Sequence, residues 1–194
     1  MSRPKEFDKE EALRKAVMVF WRKGYDGTSL PDLIDAMGIS RSSLYETFGN
    51  KESLFKEALA FYGQEQAGCR LSNALSEKKP IREIFREHFC RQIELSVDAK
   101  TPGGCFYTNT AASFETICPE VKATVKARAL AQEKEFSKLL ELAQKRGELR
   151  KNRDATALAR MLICLSYGIT VMAKTNPQRK AFEDAVDEAL AAFE

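Results

Sequence analysis

Arg41, Ser42 and Ser43 stand in a row, Ser40 precedes them, and Tyr45, Thr47 and Lys51 follow at short intervals, with Thr28 a little upstream. This set offers a guanidinium, an ammonium and several hydroxyls, with neither a histidine nor a cysteine among them. Its chemistry is reversible recognition of a polyanion. Arginine can pair bidentately with guanine, and small hydroxyl residues let a helix approach base edges and read either partner. A lysine near a helix start combines its charge with free backbone N–H groups, an arrangement suited to phosphate.

Catalytic constellations are missing. His88 is the sole histidine, and Cys90, two residues on, would lie on another face of a helix, so no metal site is expected. The chain has no G-x-S-x-G, no G-x-x-x-x-G-K and no G-x-G-x-x-G, and acids such as Glu133, Glu135 and Glu141 fall on polar faces. The expectation is a protein that binds and does not catalyse, without metal or cofactor. The five cysteines, Cys69, Cys90, Cys105, Cys118 and Cys164, form no C-x-x-C pair and are odd in number, which argues against a disulfide framework. Cys105 stands apart, since it follows Gly103 and Gly104 and opens an expected helix, whose free N–H groups favour a thiolate. It is a candidate sensor of electrophiles or oxidants, with Cys118 as a resolving thiol if the two lie close. The alternative is a helix-start cysteine packed against its neighbours.

The elements that must position the first set can be read between Thr28 and Phe55. Thr28 or Ser29 can cap a helix that carries Pro31 and Asp32 in its first turn. Leu30, Leu33, Ile34 and Met37 form one apolar stripe, and Gly38 is placed to end the helix. Ser40 caps a second helix whose first turn is Arg41, Ser42 and Ser43, while Leu44 and Phe48 face inward. Asn50 caps a third, beginning with Lys51 and Glu52. This is a helix-turn-helix, whose second helix enters the DNA major groove. The charge does not announce it: residues 1–52 hold nine Lys/Arg and nine Asp/Glu. Binding must then depend on placement, with Arg3, Lys5, Arg41 and Lys51 on one side.

The rest of the 194 residues continues as helices with Pro and Gly as punctuation and no alternating strand pattern. The expected fold is all-α, about nine helices, with a three-helix helix-turn-helix domain at 1–52 and a larger helical effector-binding and dimerisation domain at 53–194. Helices are expected over 51–71, 81–97, 105–114, 119–146, 154–174 and 178–193. The content, 44% hydrophobic and 30% charged, suits a globular core, and the net charge of +3 is too small to argue for nucleic acid or membrane. No apolar run reaching the ~18 residues of a membrane span is read, nor a signal-peptide core, so a cytoplasmic protein without a membrane partner is expected.

Leu158 to Ala173 is apolar on nearly every face, and the last helix carries the stripe Phe182, Val186, Ala189, Leu190 and Phe193. A small monomer has little to cover both, so Leu158, Leu162, Leu165, Ile169, Phe182, Val186 and Leu190 are expected at a homodimer interface, half of a four-helix bundle.

The run FWRKGYDGTSL followed by MGISRSSLYETFGNKESLF resembles the DNA-binding domain of the TetR family of bacterial transcriptional regulators, over roughly residues 8 to 60. The resemblance implies phosphate contacts from Thr28, Tyr45 and Lys51 and base-facing positions for Arg41, Ser42 and Ser43. Thr47 departs from the His or Tyr often found there, and Ser42 from a frequent Gly or Pro. It also implies a two-fold dimer on a double-stranded, palindromic operator, and a cavity for a small inducer that moves the reading heads through the fourth helix. Candidates for that cavity are Phe61, Phe89, Cys105, Phe106, Asn109, Phe136 and Tyr167, a Phe-rich set that favours a hydrophobic effector. The expected function is a repressor released by such an effector. The alternatives are a Cys105 thiol sensor or a helical protein-binding adaptor that has lost DNA binding.

Overall fold

The computed structural model describes residues 7–65, 71 and 79–193, and among them every regular element is helical. The expectations for Arg3, Lys5, Cys69 and the end of the fourth helix lie outside the described residues. In chain order the helices are α1 (Lys9–Lys23), α2 (Leu30–Met37), α3 (Arg41–Phe48), α4 (Lys51–Glu65), α5 (Ile81–Val97), α6 (Phe106–Ala112), α7 (Pro119–Arg146), α8 (Ala155–Met172) and α9 (Arg179–Ala191).

Local chemistry fixes the boundaries of the first three. Asp8 accepts from the N–H groups of Glu10 and Glu11 and starts α1, with acids in its first turn and Arg22 and Lys23 in its last, as the helix dipole favours. Ser29 and Asp32 form a reciprocal capping box at α2, and Gly38 ends it in the left-handed conformation at φ 69°. Ser40 caps α3 by accepting from Ser43 N–H.

Two buried clusters hold the chain together. One joins the apolar faces of α1 to α4 with Phe106, Ile117, Val121 and Val125, so the reading head is cored in common with α6 and the start of α7. Aromatic edges carry this packing across: Phe20 to Phe55 at 4.8 Å, Trp21 to Tyr62 at 5.1 Å, then Phe55 and Tyr62 to Phe106 at 5.6 and 5.7 Å. The second cluster is built by α5, α7, α8 and α9.

The residues expected at the dimer interface lie mostly inside the chain's own core. Leu158, Leu162, Ile169, Phe182, Val186 and Leu190 are all buried inside the single chain, at 8% exposure or less. They pack into the core that α5, α7, α8 and α9 build within the chain. Of the expected set only Leu165 is half-buried. The outward stripe of α8 is Met161, Cys164, Gly168, Val171 and Met172, with Met161, Val171 and Met172 between 42% and 56% exposed. A side-chain carbon added at Gly168 would meet nothing within 4 Å. The 18 residues of α8 have a mean hydropathy of 1.5, long and apolar enough by composition to cross a membrane, contrary to the expectation that no apolar run reaches that length. Its apolarity divides into one stripe packed in the core and another left outside.

Candidate nucleic-acid interface and effector cavity

On α3, Arg41, Ser42 and Tyr45 are exposed while Leu44 and Phe48 are buried, so the polar start of the helix is presented outward by its apolar face. Ser40 is exposed but its hydroxyl is engaged, accepting from Ser43 N–H at 3.1 Å and lying 2.8 and 2.9 Å from the hydroxyls of Ser42 and Ser43. The Arg41 guanidinium lies 5.9 Å from the Tyr45 ring centre, and Thr47 is half-buried. Thr28 is placed differently: it is 1% exposed and its hydroxyl donates to the Gly24 carbonyl at 2.6 Å, bracing the turn after α1.

At the start of α4, Asn50 accepts from Ser53 N–H at 2.8 Å, and the Lys51 ammonium rests 4.3 Å from the centre of the Tyr25 ring. Part of the charge of residues 1–52 is taken up in pairs, although Asp26, Asp35 and Glu46 make no ion pair with a described residue. Glu10, Glu11 and Asp32 are taken by Arg14, Lys15 and Lys23, and Lys9 by Glu57, whereas Arg41 and Lys51 make no ion pair with a described residue. Lys23 and the N–H and hydroxyl of Ser29 hold the Asp32 carboxyl well below the usual carboxylate range.

A cavity of about 130 Å³ opens between α4, α5, α6, α7 and α8. Helix α5 contributes one face, His88, Arg91, Gln92, Leu95 and Ser96; α7 adds Arg128 and Gln132; α8 adds Ser166, Tyr167 and Thr170. Tyr62 and Gly63 of α4 and Cys105, Tyr107 and Thr108 close it. Of the seven residues expected there, Cys105 and Tyr167 line it. Phe89, Phe106 and Phe136 are packed solid at 1% exposure or less, Asn109 borders a smaller recess beside Tyr25, and Phe61 sits on the α4 surface under Arg14. The aromatics were too apolar to be spared from the core; the lining came from polar positions beside the core stripe, a signal legible as His88, Arg91/Gln92 and Leu95/Ser96 at helical spacing.

Helix α6 is held for this task by Gly104. At φ +69°, it lies so close to Thr170 that an added Cβ would sit 2.6 Å from that carbonyl. Next to it, Tyr62 Oη donates to Cys105 Sγ at 3.7 Å, and Gln92 Nε2 donates to Ser166 at its carbonyl and hydroxyl oxygens. Burial pushes the Tyr167 phenol up, so it is a neutral donor at physiological pH.

Sequence spacing also missed a cluster at the joint between head and body. Glu52, Cys118 and Glu120 bring ligand-type atoms within 4.8 Å of one another. Burial raises the Cys118 thiol, as does its hydrogen bonding to both carboxylates, while Val121 N–H lowers it; Lys56 pairs with Glu52 at 3.1 Å. These internal partners account for the arrangement without an ion.

Two family models match the chain: bacterial regulatory proteins, tetR family, at residues 12–58, and tetracyclin repressor-like, C-terminal domain, at residues 85–189. The HTH-type transcriptional repressor ComR of Escherichia coli (strain K12) is 34% identical over 172 residues, 89% of this chain and 82% of that one. The uncharacterized HTH-type transcriptional regulator YezE of Bacillus subtilis (strain 168) is 34% identical over the full length of both. A double cysteine mutant of the regulator CifR, solved with 26-bp double-strand operator DNA, superposes with a TM-score of 0.87 at 33% identity, covering 99% of this chain and 100% of that one. The helix-turn-helix, the helical body behind it and these matches together make the chain a member of the TetR family of bacterial transcriptional regulators.

Proposed function

We propose that the chain is a homodimeric repressor that holds a palindromic operator through α3 and the start of α4, acting in the bacterial cytoplasm. The observation that carries this is the outward-facing Arg41, with no ion pair to a described residue, at the start of a helix whose other face is buried. Residues 1–52 are the reading head in this view, and residues 53–194 sense the effector and dimerise. Arg41, Ser42 and Ser43 meet base edges; Tyr45, Thr47, Ser40 and Lys51 fix the backbone register. The repressor sign follows ComR, which is named a repressor. The outward stripe of α8 is the dimer face, because it leaves three large apolar side chains in water on one helix. A ligand in the cavity moves α6 against α4 and so changes the separation of the two heads.

Binding to the DNA flanking its own gene, followed by anisotropy with a salt titration, tests this. Saturable binding to a palindrome that weakens steeply with salt supports it. Failure there and in a random-site selection removes it in favour of a protein-binding adaptor.

A second reading is favoured by one contact, the Tyr62 hydroxyl donating to Cys105 Sγ at the cavity wall. An electrophile small enough to enter the cavity would meet the Cys105 sulfur there.

A further inference from the structure

We propose that the cavity selects a small organic anion, a single-ring or short-chain carboxylate, over neutral and cationic molecules of the same shape. This rests on reading the cavity as the effector site, and it narrows the ligand to a charge class that the Phe-rich sequence did not suggest.

Charge is the first argument. Arg91 and Arg128 line the cavity and no Asp or Glu does. Arg91 makes no ion pair with a described residue, and Arg128 makes one long ion pair, to Glu135 at 3.9 Å. A guanidinium facing a partly enclosed space attracts a carboxylate, which it can bind by two parallel hydrogen bonds.

Burial supplies the second. Ser96 is among the residues around the same space, is 2% exposed, and its buried Oγ has no hydrogen-bond partner among the described residues. Buried polar atoms are rarely left so, and a ligand acceptor would complete this hydroxyl. The Tyr167 hydroxyl likewise makes no hydrogen bond to a described residue, and its protonated form can donate to an anion.

Size and shape set the body of the ligand. A volume of about 130 Å³ is close to the roughly 150 Å³ that accommodates one benzene ring. The rings of Tyr62, Tyr107 and Tyr167 provide its walls. The apolar body distinguishes the ligand from inorganic phosphate or sulfate.

The test uses the full chain with benzoate and cinnamate, their amides, benzylamine and inorganic phosphate, read by thermal shift and titration calorimetry. Carboxylates are expected to bind about tenfold or more tightly than the amides, as charge-assisted hydrogen bonds require, with benzylamine and phosphate weaker still. Arg91→Gln and Arg128→Gln should each shrink that gap while leaving amide binding intact, which guards against misfolding as the cause. Amides binding as well as carboxylates, a preference for benzylamine or phosphate, a gap that survives both substitutions, or no stabilisation by any probe would each overturn the proposal. Operator binding measured without any probe tests the regulator reading separately and stands whichever way the carboxylate result falls.

Discussion

The indole Nε1 of Trp21, on α1 of the reading head, donates to the carbonyl of Gly103 at 3.1 Å, in the turn that leads directly into Cys105 and α6. Eighty-two residues separate the two in sequence. Gly104, next along, is pressed against Thr170 of α8. The head is thereby tied by one hydrogen bond to the wall of the cavity.

Trp21→Phe keeps most of the aromatic packing against Tyr62 and deletes that bond. Stability should fall by about 1 kcal/mol, the net worth of a typical hydrogen bond. Effector-induced loss of operator affinity should shrink, while operator affinity without effector changes little. Anisotropy titrations with and without effector measure both.

Arg41→Ala should cost ~1–3 kcal/mol of operator binding and relax preference at one base step. Lys51→Ala should weaken all sequences alike and reduce the salt slope by about one. Salt-dependent binding to matched and mismatched operators separates the two, and unchanged binding in both variants would remove α3 and the α4 start as the reading surface.

The two sides of α8 should respond in opposite ways. Val171→Glu, on the exposed stripe, should leave the fold intact and shift the protein towards monomer. Leu162→Ala, fully buried, should cost about 2–5 kcal/mol of stability as an internal cavity forms. Sedimentation velocity and denaturant unfolding read these outcomes independently.

Asp32 gives a pH dependence. Lys23 and Ser29 depress its folded-state pKa, so its contribution is fully present above the unfolded value, ~3.9, and is lost as pH falls below it. Unfolding of the head followed between pH 6 and 2 should be flatter in Asp32→Asn than in the native chain.

Oxidant or electrophile response, if the thiol reading holds, should vanish in Cys105→Ser and weaken in Tyr62→Phe, with Cys118→Ser unaffected. Operator release by mild oxidant in these three variants is the measurement, and a full response in Cys105→Ser removes that thiol.

The sequence by itself determined the helix-turn-helix. Ser29, Asp32, Gly38 and Ser40 act within one helical turn, and such caps and stops need no distant partner. The same locality made α5 and α7 legible at their ends, whereas the sixth helix, expected over 105–114, shortened to Phe106–Ala112 because Cys105 is its cap and the chain turns after Ala112. Tertiary structure decided the rest. It chose which stripe of α8 the core would absorb, sending Leu158, Leu162 and Ile169 inward and leaving Met161, Val171 and Met172 outside. It buried Phe89, Phe106 and Phe136, expected around a ligand, and gave the cavity to Arg91, Ser96 and Arg128. Periodicity reports that a face is apolar, not which neighbour will cover it. That answer depends on contacts between residues far apart in the chain, such as Trp21 with Gly103 and Gln92 with Ser166.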